Sequence, residues 1–196
     1  MRVGQAITAH RITAADSWAA KPPYLYEVLG IEIPLGTDEI DRIFWDAASP
    51  GIPTDGMPEF LTFLKKKGIR TGVISNITYA QSVVAERITR LLPNHEFEFI
   101  LTSSQYIFRK PHQRIFQLAL KKANLPAEEV WYIGDNYLCD IEGALTAGIT
   151  PVWYTGAFEG TEDDKAAYAD RSDKAGCLRI KEWNELAIKL DQLQMK

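Results

Sequence analysis

The stretch Val130–Ile149, VWYIGDNYLCDIEGALTAGI, breaks an apolar run at Gly134. It delivers two acids, Asp135 and Asp140, before a helix rich in small residues. Runs of this kind are buried parallel strands, and α/β sheets bind ligands outside the carboxyl ends of such strands. Two carboxylates around one strand-to-helix turn suit a hard divalent cation with oxygen ligands, Mg2+ above all. A single acid there would read as a helix cap. Two other segments present polar groups at comparable places. Ile69–Ile74 runs into Ser75-Asn76, and Arg109-Lys110 stands just before Pro111 at a helix start. A hydroxyl with neighbouring amides, at Ser75 and Asn76, can hold an anionic oxygen. Lys110 can neutralise negative charge growing on a phosphoryl group. Asp135 and Asp140 can hold the Mg2+ that bridges protein and phosphate. Strand ends in a parallel sheet share one edge, so these groups can converge from distant parts of the chain. Taken singly, Ser75 also reads as a helix cap and Lys110 as one of a solvated pair with Arg109.

The elements needed to place these groups are legible from Pro53 onward. Met57–Lys67 is an amphipathic helix closed by lysines and Gly68, as the helix dipole and a glycine C-cap favour. The strands are Ile69–Ile74, Phe97–Leu101, Val130–Ile133 and Thr150–Tyr154. The helices between them are Tyr79–Leu91, Pro111–Ala123 and Asp140–Ala147. This alternation predicts a mostly parallel sheet with helices on both faces. A polar stretch after Thr155 holds a weak helix over Thr161–Tyr168. A last edge strand follows at Leu178–Ile180, and then a helix over Lys181–Gln192 that docks through Trp183, Leu186, Leu190 and Leu193. The first part of the chain has a different texture: helices over Ile7–Ala20, Tyr24–Leu29 (capped by Gly30) and Glu39–Ala48, with Thr37 as N-cap of the last. These give a division into a small helical lobe, residues 1–52, and an α/β core, residues 53–196. The rings Trp18, Tyr24, Tyr26, Phe44 and Trp45 either pack that lobe's own core or line a lid.

Composition narrows the class. The chain has 196 residues, 46% of them hydrophobic and 24% charged, enough for one sizeable core. Its net charge is −4, with 22 basic and 26 acidic residues and no basic block, which argues against a nucleic-acid surface. The beginning of the sequence has no long apolar run, so neither a secretory signal nor a membrane span is expected. Two cysteines, Cys139 and Cys177, make no disulfide framework and fit a cytoplasmic location. His10, His95 and His112 lie in separate segments without an orienting acid and are expected to be structural or on the surface. Cys139 is expected to be a small buried filler.

Three motifs in order give the chain a family likeness: GVISN with Ser75, RKP with Lys110, and GDNYLCD with Asp135 and Asp140. It resembles the haloacid dehalogenase-like (HAD) superfamily, in its phosphatase-like subgroup with a helical cap. The likeness covers about residues 20 to 194. It implies a Rossmann-like three-layer parallel sheet and Mg2+-dependent hydrolysis of small phosphorylated molecules. Lys110 and Ser75 would be catalytic, Ser75, Asn76 and Lys110 substrate-binding, and Asp135 and Asp140 metal-binding. The dehalogenase branch of the family is disfavoured by Asp135.

The family's first motif, an apolar strand ending in Asp-x-Asp whose first acid attacks phosphorus, has no match in this sequence. The first acid is Asp16, set in ITAADSW. The fold is therefore expected to lack its usual first strand and to carry a partial cap. Residues 2–8 could fill the vacant slot, the flanking strands could pair directly, or a second copy could cover the exposed edges. Direct pairing with homodimerisation is the expectation drawn here. Lost turnover, or a start read too far downstream, would follow. The alternative is a non-enzymatic protein that binds a phosphorylated ligand in the same crevice.

Overall fold

A computed structural model of the chain describes residues 5–8 and 28–194, apart from 50 and 159. Six parallel strands form one sheet in the order β3-β2-β1-β4-β5-β6. They are β1 Gln5–Thr8, β2 Thr71–Ser75, β3 Phe97–Thr102, β4 Val130–Gly134, β5 Thr150–Tyr154 and β6 Leu178–Ile180. The helices are α1 Thr37–Ala48, α2 Met57–Lys66, α3 Gln81–Leu91, α4 Gln113–Ala123, α5 Gly143–Thr146, α6 Glu162–Lys174 and α7 Trp183–Gln194.

The central strand corrects the sequence expectation. The slot is not closed by direct pairing of β2 with β4, because Gln5–Thr8 occupies it. Thr8 lies beside Val73 on one side and Ile133 on the other. A strand here satisfies two rows of backbone donors and acceptors that would otherwise be buried without partners, and that requirement outweighs the weak strand propensity of QAIT. With the slot filled, the exposed rows that motivated a homodimer no longer exist. Ile7 and Thr8 belong to this strand and not to a helix, so the sheet also takes four residues from the stretch expected to be cap. The rest of the expected helix over Ile7–Ala20 lies outside the described residues, as do Asp16, Trp18, Tyr24 and Tyr26. Val28 and Leu29 are helical and Gly30 follows with φ +66°, a left-handed turn that suits glycine.

Strand alternation divides the core between the two faces of the sheet. On one face α2 and α7 pack against Ile133, Val152, Tyr154 and Ile180, and α3 packs against Val73 and Ile100. On the other, α4 packs against Ile74, Leu101, Val130 and Tyr132. Trp183, Leu186 and Leu190 of α7 are fully buried, as the sequence predicts, and each contributes on the order of 2–3 kcal/mol. Among the described residues no helix is long and apolar enough to cross a membrane.

The helix α1 starts at Thr37 with Gly36 as N-cap and no side-chain cap bond, so Thr37 is not the cap. The acids of α1 instead serve α3. The buried Asp41 carboxylate accepts from the Ala80 amide (3.1 Å), capping α3 across the interface, and Arg42 pairs with Glu86 (2.7 Å). Trp45 is buried against Tyr79, ring centroids 4.6 Å apart, with the Arg87 guanidinium 4.2 Å from its ring. Trp45 therefore packs the interface between α1 and α3 and does not line a lid.

Candidate active site

Chain order reverses its direction across the sheet at β1, with β2 and β3 to one side and β4, β5 and β6 to the other. The crevice at such a switch point, outside the carboxyl ends of the strands, is where α/β sheets hold ligands. Each polar group singled out in the sequence lies on this edge. Ser75 is the last residue of β2, and Asn76 follows it. Asp135 follows β4, and Lys110 precedes α4.

Lys110 joins the two sides of the switch point. Its backbone is gripped by Asn76: the Lys110 amide donates to Asn76 Oδ1 (2.8 Å), and Asn76 Nδ2 donates to the Lys110 carbonyl (2.8 Å). The peptide bond to Pro111 is cis. The helix then begins at Gln113, later than expected, because His112 is its N-cap and accepts from the Arg114 amide through Nδ1 (3.2 Å). From this anchor the Lys110 side chain reaches the far side of the crevice. Its ammonium donates to Asp140 Oδ1 (2.6 Å) and to the Tyr132 hydroxyl (2.9 Å). Lys110, Tyr132 and Asp140 are all buried. Asn76 is thus a positioning residue for Lys110, in addition to any contact with a ligand.

Asp140 is held on both oxygens. Tyr132 donates to Oδ1 (3.2 Å), and the Asn136 amide donates to Oδ2 (3.0 Å). Burial, then the adjoining Asp140 carboxylate, push the Tyr132 phenol well above its usual range, so it stays neutral. Asp140 reaches this place through a π-helix, Tyr137–Glu142, where the sequence pattern suggested an α-helix beginning at Asp140. The wider turn is capped by Asn136, whose Oδ1 accepts from the Cys139 amide (2.8 Å). Gly134 is needed beside it: a Cβ there would lie 2.4 Å from Asp140 Cβ, Cγ and Oδ2. The half-buried Cys139 thiol is raised by burial, which keeps it protonated and fits a filler.

On the β2 side Ser75 is buried, and its hydroxyl makes no hydrogen bond to another described residue. The loop after it is latched by Ser103, whose Oγ accepts from the Ile77 amide (2.9 Å) and donates to the Ile77 carbonyl (3.0 Å). An ammonium has three donors, and the Lys110 contacts use two. The crevice therefore offers one N–H of Lys110 and the Ser75 hydroxyl, a pair suited to the oxygens of an anion.

The same geometry bears on Mg2+. A cation shared by Asp135 and Asp140 would need an oxygen of Asp140, where Oδ1 already accepts from the ammonium (2.6 Å) and the Tyr132 hydroxyl and Oδ2 from the Asn136 amide. Asp135 is half-buried, has interactions of its own, and holds the Trp153 indole N–H on its carbonyl (3.0 Å). Among the described residues no three His, Cys, Asp or Glu side chains gather where they could hold a metal ion. The pair does not fit a shared divalent cation.

Two residues of this arrangement escaped the sequence reading. Tyr132 was hidden inside an apolar run, where an aromatic with a hydroxyl two residues before Gly-Asp was the available signal. Trp153, which fixes the Asp135 backbone, read only as a strand residue. Of the histidines, His95 accepts from the Phe97 amide (3.2 Å) and His112 caps α4, while His10 lies outside the described residues.

The family model described as haloacid dehalogenase-like hydrolase matches residues 48–154. A glyceraldehyde 3-phosphate phosphatase of Pyrococcus furiosus is 34% identical over 116 residues, 59% of this chain and 48% of that protein. The human haloacid dehalogenase-like hydrolase domain-containing protein 3 is 28% identical over 144 residues, 72% of this chain and 56% of that one. The chain spans about half the length of the curated relatives it matches. A HAD-superfamily hydrolase from Ehrlichia chaffeensis shares the fold with a TM-score of 0.60 at 18% identity, covering 98% of each chain.

Proposed function

Because the chain belongs to the haloacid dehalogenase-like hydrolases, we propose that its crevice binds the phosphate of a small phosphorylated molecule. Lys110 and Ser75 hold the anion, and Asn76 sets the position of Lys110. The observation that carries this reading is the Lys110 ammonium. It is fixed by Asp140 and Tyr132 with one donor to spare, on the same edge as a buried serine hydroxyl that has no described partner. Desolvated donors held in place bind an oxyanion more strongly than mobile surface lysines do. Relatives named as phosphatases of glyceraldehyde 3-phosphate and phosphoserine point to small phosphomonoesters as the ligand class.

Turnover is a separate matter. In this family's route an aspartate at the end of the first strand attacks phosphorus and forms an aspartyl-phosphate. Here β1 reads QAIT, Ala9 and His10 follow, and the first carboxylate of the sequence is Asp16. The attacking group is missing from that position, so the chain as written binds phosphomonoesters and hydrolyses them slowly or not at all. Calorimetric titration with inorganic phosphate, glyceraldehyde 3-phosphate and phosphoserine, alongside assays of phosphate release, tests both halves. Binding lost in Lys110→Met, with release at background, is the expected result. Turnover above about 1 s⁻¹, the low end for ordinary enzymes, would refute the claim of a lost attacking group.

A further inference from the structure

We infer that this crevice has no resident divalent cation, and that the Lys110 ammonium is its fixed positive charge. Asp140 is the deeper of the two acids, and three of its roughly four acceptor sites are in use. Oδ1 accepts from Lys110 and Tyr132, and Oδ2 accepts from the backbone amide of Asn136. A cation on Asp140 would have to displace the ammonium 2.6 Å away, or sit next to it with like charge. Asn76 holds both backbone polar groups of Lys110, which fixes the point from which the ammonium reaches Asp140. The remaining acid, Asp135, is a single carboxylate, at the low end of the one or two through which Mg2+ is usually held. The strand between the two acids' strand and Ser75 carries QAIT and adds no carboxylate. The absence of a Cβ at Gly134 and the wider turn of the π-helix leave room for Asp140 beside Lys110. Asp140 is thereby a counter-ion that orients the ammonium.

Among the described residues an anion bound here meets the charge of Lys110 and the hydroxyl of Ser75, so its affinity is independent of Mg2+. That consequence rests on the phosphate reading above, whereas the absence of a resident cation does not.

Mn2+, a spectroscopic substitute for Mg2+, decides the first point in the protein without phosphate. The electron paramagnetic resonance signal of free Mn2+ is recorded as protein is added. The signal should match that of buffer. Lys110→Met, which unties Asp140 from its ammonium, should bind Mn2+ at least ~10-fold more tightly than the native chain. Stoichiometric Mn2+ binding by the native chain at micromolar concentration, abolished in Asp135→Asn, would overturn the inference. So would a folded Lys110→Met protein that gains nothing, since the ammonium would then not be what excludes the cation. If Lys110→Met does not fold, the native titration still gives the answer. Phosphate affinity in excess EDTA and in excess Mg2+ should agree within ~2-fold, and a rise of ~10-fold with Mg2+ would contradict it. Failure of phosphate to bind under either condition would refute the phosphate reading and leave the Mn2+ result standing.

Discussion

Replacing Lys110 with methionine keeps much of the side-chain volume and removes the charge. The Asp140 carboxylate would then stay in a closed environment with Tyr132 and one backbone amide as its remaining donors. Breaking a buried ion pair by deleting one member costs about 3–5 kcal/mol, because the surviving charge is no longer compensated. Side-chain exposures of 6% for Lys110 and 2% for Asp140 place this pair in that class. For a domain of this size each kcal/mol lowers Tm by about 2–4 °C, so Lys110→Met should lose roughly 6–20 °C. Asp140→Asn should lose a comparable amount, by leaving the ammonium unpaired. The double variant removes both charges and should be much less destabilised than the sum of the two, with a coupling of about 1–3 kcal/mol. Thermal unfolding of the four proteins in one buffer measures this directly. Additive losses in the double variant, or a Lys110→Met loss under about 2 °C, would show that the two groups do not form a buried pair, and the account of the crevice would fail.

Three further outcomes follow from the same geometry. Tyr132→Phe removes a hydroxyl bonded to both charged groups and should cost about 1.5–3 kcal/mol. The folded protein holds the Tyr132 proton more tightly than the unfolded chain does, so stability should fall as pH rises past about 10, and Tyr132→Phe should fall less steeply in Tm measured against pH. Gly134→Ala forces a Cβ into Asp140 and should destabilise by about 1–3 kcal/mol in urea unfolding, with no loss of fold. His95 is stacked on Phe97, and burial holds its pKa below the ordinary value. The unfolded chain then binds more protons, so stability should decline as pH falls through about 6.5, and His95→Gln should flatten that decline in chemical unfolding.

Much of the core could be read from the sequence because its strands are long apolar runs, each followed by a polar turn. Ser75, Lys110, Asp135 and Asp140 stood out for the same reason: charge or hydroxyl appears abruptly where hydrophobicity stops. Residues 2–8 were one of three candidates for the slot and not the preferred one, because only Ile7 and Thr8 of QAIT favour a strand. The place of β1 depends on pairing with two neighbours, which local propensity does not register. The partnership of Asp140 with Lys110 was invisible because it depends on a π-helix and on how far a lysine reaches across a sheet edge. Reading the two acids as one metal site followed from their spacing along the chain, which carries no sign of the contact between Asp140 and Lys110. The sequence left Trp45 open between packing its own lobe and lining a lid, because an aromatic on an amphipathic helix does not say which neighbour it meets. Much of the interface of α1 with α3 is made of acids, arginines and one stacked ring.

The central claim is that an anion binds where β2 and β4 diverge around β1, against Lys110 and Ser75. Titration of uniformly 15N-labelled protein with inorganic phosphate, followed by amide chemical shifts, tests it without any substitution. The account predicts saturable shifts confined to the amides around Ser75–Ile77, Lys110–His112 and Asp135–Asn136. Shifts that fall elsewhere, or none up to high phosphate concentration, would contradict it.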